Sequence, residues 1–230
     1  MKKLFFLIFI ICLGPFNIMA QEHFTPPATR TSTWPYLFDD FSNAKIIDNN
    51  GSIQHMTINL NLLNDEMQFL NNGEIMQIYP PENVQSIMVN HLMYVYANKW
   101  FLQVIAKGEP MLVQRVHGNM NDLVETTGAY GTQSTVSSTH GLKSIDLGGI
   151  NNMNYEYLKK GKEGGKSFNV ETTYYFKLGQ RLVTVSKSQS IKLFPDQKSK
   201  IKNYINQQNI DFKKQSDLLK LTEFLNTLEK

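Results

Sequence analysis

Two pairs of adjacent carboxylates, Asp39-Asp40 and Asp65-Glu66, are the residues whose type and spacing most directly suggest acid–base chemistry. Glycoside hydrolysis uses two carboxyl groups, one as an acid and one as a base or nucleophile. Neighbouring residues of a strand point to opposite faces, however, so adjacency along the chain does not bring two carboxylates together. Turn and helix-cap roles explain both pairs. We therefore predict no catalytic residue here, and a hydrolase whose site assembles only in the fold remains the alternative.

The histidines do not have the spacing of a metal site. Beyond residue 20 they are His23, His55, His91, His117 and His140. No two of them stand four residues apart, which is the spacing that lets one helix face hold zinc. His117 and His140 could form a metal site with a carboxylate such as Asp122 only if the fold brought these residues together. We predict neither a metal ion nor a cofactor.

The segment from Gly161 to Ser167 is similar to a phosphate-binding loop. Such a loop has four residues between its first glycine and the final Gly-Lys-Ser/Thr, and a helix follows it. Here the chain has only three residues in that interval. The residues that follow, Val170 to Phe176, are typical of a strand. We predict a solvated loop that binds no nucleotide.

The candidate ligand-binding residues are aromatic: Tyr94, Tyr96, Trp100 and Tyr130. The first three lie close together along the chain, and Tyr130 lies in a glycine-rich segment. Aromatic rings with polar neighbours can stack on sugars or anchor a peptide. Aromatic residues on strands are also common in protein cores. Solvent exposure therefore decides whether these rings form a binding surface.

Residues 1–20 have the pattern of a secretory signal peptide, because Lys2-Lys3 precedes an apolar run that ends near Gly14 and Ala20 offers a cleavage position. The run is short for a bilayer span, so we predict no transmembrane segment after cleavage. We therefore predict that the mature protein is exported to the periplasm, the cell surface or the medium. Residues 21–33 are rich in Pro and Thr and are predicted to be an extended leader, with order beginning at Trp34.

Removal of the signal peptide changes the charge of the chain. The protein has 23 basic and 20 acidic residues, and loss of Lys2 and Lys3 leaves 21 basic ones, so the formal net charge falls from +3 to +1. A chain so close to neutral is not expected to bind nucleic acid. Its one cysteine, Cys12, lies within the signal peptide. This excludes a disulfide framework and a cysteine nucleophile from the mature chain.

Residues 34–186 are predicted to form a β-rich domain. Its clearest element is a hairpin from Glu66 to Tyr79 with a type I′ turn at Asn72-Gly73. This turn places Phe69 opposite Met76 and Met67 opposite Ile78, and we predict that these four side chains face the core. Further pairs place Ile87 opposite Tyr94, Met88 opposite Met93 and Phe176 opposite Val183. Successive hairpins predict an antiparallel β-meander that forms a partly closed barrel or a sandwich.

The remaining segments are a long loop and a helical C-terminal region. Residues 118–152 are rich in Gly, Ser, Thr and Asn, and loops of this length in a compact domain are often functional. Residues 187–230 are predicted to be a helical subdomain of two or three short helices, capped by Ser188 and Ser216. The apolar face of the last helix is Leu218, Leu221, Leu225 and Leu228. The fold class is therefore α+β.

Three motifs resemble those of uncharacterised exported proteins of Bacteroidetes-type bacteria. They are Asn64 to Phe69, Ala129 to Gly131, and Ile191 to Asp196. The resemblance covers most of the mature chain and implies secretion and a β-meander with a helical tail. It implies no activity and no functional residue. Our prediction is an exported, non-enzymatic binding or structural module whose partner is an envelope protein or a glycan, and the alternative is a hydrolase of envelope glycans.

Overall fold

The computed structural model describes residues 29–123, 153–162 and 164–228. The predicted signal peptide, most of the leader, residues 124–152 of the long loop and therefore Tyr130 lie outside these residues. Within them the protein has an antiparallel sheet that does not close into a barrel, followed by C-terminal helices. The predicted α+β class is confirmed.

Twelve strands are present in the described part of the chain. They are β1 (Thr29–Ser32), β2 (Ser42–Asp48), β3 (Ile53–Asn61), β4 (Glu66–Asn71), β5 (Glu74–Gln77), β6 (Val84–Val89), β7 (Leu92–Ala97), β8 (Trp100–Ala106), β9 (Met111–Gly118), β10 (Met153–Asn154), β11 (Phe168–Leu178) and β12 (Arg181–Thr184). The spatial order is β1-β11-β9-β8-β7-β6-β2-β3-β4-β5-β10, and β12 pairs with β11 beside β1. All the pairs are antiparallel.

The α-helices of the described residues are α1 (Tyr155–Lys160), α2 (Lys187–Leu193), α3 (Lys198–Gln207) and α4 (Gln215–Asn226). Single 3₁₀ turns occur at Pro81–Asn83, Met120–Asp122 and Pro195–Gln197. None of the helices in these parts of the chain is long and apolar enough to cross a membrane. The caps differ from the prediction: the Ser186 hydroxyl accepts a hydrogen bond from the Gln189 amide at the start of α2, and Lys214 precedes α4.

The turn chemistry fixed the register of the hairpins. Asn72 and Gly73 have φ angles of 51° and 83°, the positive values that a type I′ turn requires. Phe69 then pairs with Met76 as predicted. The expected pairs Ile87–Tyr94, Met88–Met93 and Phe176–Val183 are also confirmed.

The hairpin of β4 and β5 buries residues on both of its faces, which the prediction missed. Met67 is buried in one core, but Met76 on the same face is 36% exposed. On the opposite face, Ile75 is buried against Trp34 and Tyr36. The segment before β2 covers this second face, and a covering segment cannot be recognised from the hairpin's own alternation.

The leader prediction was wrong for residues 29–32. These residues form β1, in which Arg30 pairs with Val170 and Ser32 pairs with Phe168 of β11. The backbone amide and carbonyl groups of an extended segment can pair with a sheet edge whatever its side chains are. Composition alone therefore did not reveal this strand.

Two apolar cores lie on one face of strands β8, β9 and β11. The first includes Phe101, Val116 and Val170, and the second includes Ile105 and Leu112 together with the helices. The buried faces of α3 and α4, Ile201, Ile205, Leu218, Leu221 and Leu225, all belong to the second core. The helical region thus shares its hydrophobic core with the sheet, and short helices of this kind depend on such packing.

A row of buried polar side chains separates the two cores. Gln103 lies between Phe101 and Ile105 on β8, and it pairs with Gln114 on β9. The Gln114 amide nitrogen donates to the Gln103 side-chain oxygen at 2.8 Å, and both residues are buried. On β7, Tyr94 of the first core pairs with Gln103 and so lies at the border of the two cores. This row accounts for the division of the interior into two clusters.

Replacing Gln103 alone with leucine should lower the free energy of unfolding by about 1–3 kcal/mol, because the buried Gln114 amide would lose its acceptor. The double variant Gln103→Leu/Gln114→Leu should recover part of that loss, because no polar group of the pair then remains unpaired. Urea unfolding of the two single variants and the double variant measures the coupling. Strictly additive losses would show that the two amides do not stabilise each other.

Candidate functional site

Three of the four aromatic residues predicted to bind a ligand are described, and these three do not form one exposed surface. Tyr94 is 1% exposed and lies in the first core, so it cannot contact a ligand at the protein surface. Tyr96 is on the same face of β7 and packs on Phe101, with the ring centroids 5.0 Å apart. Trp100 belongs to a cluster on the opposite face of the sheet. Ligand binding by Tyr96, Trp100 or Tyr130 stays a prediction. Tyr96 and Trp100 lie on opposite faces of the sheet, and Tyr130 lies outside the described residues.

Among the described residues, no group of three or more His, Cys, Asp or Glu side chains is arranged to hold a metal ion. Asp122 accepts hydrogen bonds from the backbone and side-chain nitrogens of Asn169, at 2.7 and 2.9 Å. His117 lies 3.8 Å from Glu171, and burial lowers the pKa of His117. His140 lies outside the described residues. Residues 168–178 form a strand where a nucleotide-binding loop would have a helix.

A shallow, open cleft of about 360 Å³ lies between β1 and the segment that leads into β2. We refer to it as the β1 cleft. Its lining residues are Arg30, Leu37, Phe38, Asp39, Asp40, Ser42 and Asn90. The cleft therefore combines a small apolar wall with charged and uncharged hydrogen-bonding groups, and it is more polar than most small-molecule sites.

Buried Asn59 on β3 fixes the wall of the cleft. Its side-chain oxygen accepts a hydrogen bond from the Phe38 amide at 3.1 Å, and its nitrogen donates to the Phe38 carbonyl at 2.8 Å. The indole nitrogen of Trp34 also donates to the Phe38 carbonyl, at 2.9 Å. These bonds hold an irregular segment in one conformation. A wall that is already rigid loses little conformational entropy when a ligand binds.

An aromatic cluster lies beneath the same segment. Tyr36 contacts both Trp34 and Phe41, with ring centroids 5.3 and 5.0 Å apart, and Phe41 contacts Tyr155 at 5.2 Å. Such tilted and edge-to-face contacts are favourable ring geometries. The cluster places α1, which begins at Tyr155, beside the cleft. Tyr155 lies 115 residues after Asp40 in the sequence. The segment that begins at Tyr155 thereby reaches the carboxylates of Asp39 and Asp40 in the wall of the cleft.

The carboxylates of Asp39 and Asp40 are each paired with a lysine from this segment. Lys159 donates to Asp40 at 2.6 Å, the Tyr155 hydroxyl donates to the same oxygen at 2.8 Å, and Lys162 pairs with Asp39 at 2.9 Å. The hydrogen bonds from Lys159 and Tyr155 lower the pKa of Asp40. Asp40 is therefore held ionised at neutral pH.

The sequence did not predict this arrangement. Asp39 and Asp40 lie in a bend that precedes β2 and not within a strand, so the alternation expected for strand residues does not apply, and both line the cleft. Arg30 gave no signal at all, because it lies in the predicted leader. Lys159 at the end of α1 and Lys162 in the turn after it are close together along the chain, but their spacing alone did not indicate which carboxylates they would meet.

Comparisons with protein-family models, with curated proteins and with solved structures give no match to this chain. The geometry of the β1 cleft is therefore the basis for a functional interpretation.

Proposed function

We propose that the protein is an exported, non-enzymatic binding module of the cell envelope and that its β1 cleft holds a segment of glycan. The signal-peptide pattern of residues 1–20 and the resemblance to exported Bacteroidetes-type proteins support export. The binding role depends on one observation, the cleft of about 360 Å³ with mixed polar and apolar walls and a hydrogen-bonded segment as one wall.

The chemistry of the walls suits a sugar. A sugar ring presents hydroxyl groups at its edge and apolar C–H groups on its faces. Phe38 supplies an apolar surface, while Ser42 and Asn90 supply a hydroxyl and an amide that are hydrogen-bonded to each other at 3.2 Å. Both groups can make further bonds, because a hydroxyl and an amide each have several donor and acceptor positions. The volume of the cleft lies near the lower limit of about 300 Å³ for small-ligand sites.

A leucine at position 42 should fill part of the cleft and remove its hydroxyl. We expect Ser42→Leu to weaken glycan binding by about tenfold or more, equivalent to about 1.4 kcal/mol. Isothermal titration of the purified protein with size-fractionated envelope oligosaccharides measures the effect. Ser52→Leu is the matched control, since Ser52 is an exposed turn residue outside the cleft. The binding role is wrong if the wild-type protein shows no saturable binding to any fraction, or if both variants weaken binding equally.

A hydrolase is the second candidate, because Asp39 and Asp40 line the same cleft. The lowered pKa of Asp40 makes this residue unsuitable as a general acid. Asp39 would have to donate the proton, and its side chain is 91% exposed and paired with Lys162. Release of reducing ends from envelope glycans by the wild-type protein, and its loss in Asp39→Asn, would favour the hydrolase over the binding module.

A further inference from the structure

The charges around the β1 cleft do not cancel. Asp39 is paired with Lys162 and Asp40 is paired with Lys159. Each of these carboxylates is thus neutralised locally by its own lysine. Arg30 remains, and no described residue forms an ion pair or a hydrogen bond with its guanidinium group. Among the residues that the structure describes, the cleft therefore carries one positive charge that no carboxylate offsets.

The position of Arg30 makes this charge suitable for recognition. β1 is held on β11 by four residue pairs, and Arg30 stands opposite Val170 within them. Its Nε atom is buried without an acceptor among the described residues, while the residue as a whole is half-buried and lines the cleft. A guanidinium group is planar and always charged, and it matches a carboxylate with two parallel hydrogen bonds. A cation fixed in a concave, partly desolvated site attracts an anion more strongly than one in open solvent.

The two lysines increase the preference for anions. Without them, the carboxylates of Asp39 and Asp40 would repel an anionic ligand from the wall of the cleft. Lys162 is itself fixed in place, because its Nζ atom lies 4.9 Å from the centroid of the Trp34 ring as well as 2.9 Å from Asp39. Cation–π contact and ion pairing together restrain this side chain.

We propose that the β1 cleft selects an acidic sugar and that Arg30 binds its carboxylate, while Ser42 and Asn90 contact the hydroxyl groups of the ring. This inference rests on the proposed glycan-binding function and names the class of glycan. The ligand is a uronic acid residue within an oligosaccharide. Its carboxylate pairs with the part of the guanidinium group that faces the cleft, since the Nε atom is buried beyond the reach of a ligand.

The test compares an oligogalacturonate with a galactose oligomer of the same length by isothermal titration. We expect the wild-type protein to bind the uronate at least about tenfold more tightly, since a charge-assisted pair in a concave site contributes at that scale. Arg30→Met should abolish this preference, so that the variant binds the uronate and the neutral oligomer with equal affinity. Arg181→Met is the matched control, because Arg181 is an exposed residue of β12 outside the cleft, and it should keep the preference.

A salt series on the wild-type protein tests the same inference without any variant, in case Arg30→Met folds poorly. Raising the salt from about 50 to about 500 mM should weaken uronate binding severalfold and leave binding of the neutral oligomer unchanged. Equal affinity for both oligomers would overturn the acidic preference and leave the glycan-binding function intact. Binding of neither would remove both. Displacement of the uronate by inorganic phosphate at equal concentration would show that a phosphate, and not a sugar carboxylate, is the preferred group.

Discussion

Replacing Phe176 with alanine is expected to lower the free energy of unfolding by about 3–5 kcal/mol, the range for a large aromatic side chain deleted from a packed core. Phe176 on β11 is fully buried, and it lies in the second core with Leu112 of the sheet and Leu221 of α4. The substitution removes contacts on both the strand side and the helix side. We therefore expect the sheet and the helices to lose stability together.

Two probes followed in one urea titration check this expectation. Far-ultraviolet circular dichroism at the helical minimum reports on α3 and α4, and the fluorescence of Trp34 and Trp100 reports on the sheet and the segment before β2. Both transitions should shift to lower urea by the same amount. Ile53→Ala is the control, because Ile53 is 53% exposed and its loss should change stability by no more than about 0.5 kcal/mol. Separate midpoints in the Phe176 variant would mean that residues 187–230 are an independent subdomain.

Replacing Asp65 with asparagine should lower the free energy of unfolding by about 2–4 kcal/mol, because it leaves the largely buried Arg115 charge without its partner. Arg115 makes two hydrogen bonds to the carboxylate, at 2.9 and 2.6 Å, and the two side chains are only 19% and 16% exposed. The guanidinium carbon also lies 4.3 Å from the centroid of the Trp100 ring. These contacts tie the turn between β3 and β4 to β9, where the Gly118 amide donates to the Leu62 carbonyl at 2.6 Å.

Asparagine is an informative substitute because Asp65 has a φ of 59° and asparagine tolerates this left-handed conformation well. Any loss of stability therefore reports the missing charge and not backbone strain. The double variant Asp65→Asn/Arg115→Met should be more stable than the sum of the single losses implies. Lys214→Met removes an exposed ion pair of 3.9 Å and should cost less than about 1 kcal/mol. If Asp65→Asn costs no more than this control in urea unfolding, the pair does not hold the turn on the sheet.

The hairpins were predictable because their turns are local. Asn72-Gly73 and Asn90-His91 both adopt positive φ angles, and such a turn sets the register of its two strands without reference to the rest of the chain. The apolar face of α4 was predictable for a similar reason, since Leu218, Leu221 and Leu225 repeat at helical spacing and are all buried. Both features depend on residues that are close together along the chain.

The sequence by itself thus determined the α+β class, the strand registers next to tight turns and the buried face of the last helix. The tertiary structure alone decided that Tyr94 is buried and that Trp100 lies on the other face of the sheet. It also decided that Arg30, Asp39 and Asp40 meet at one cleft, with α1 and the turn after it supplying the lysines that pair with the two carboxylates. The physical reason is separation along the chain. Local turns and periodicity fix neighbouring residues, whereas the cleft joins residues 30–42 to Asn90, and Asp40 in its wall pairs with side chains more than 100 residues away.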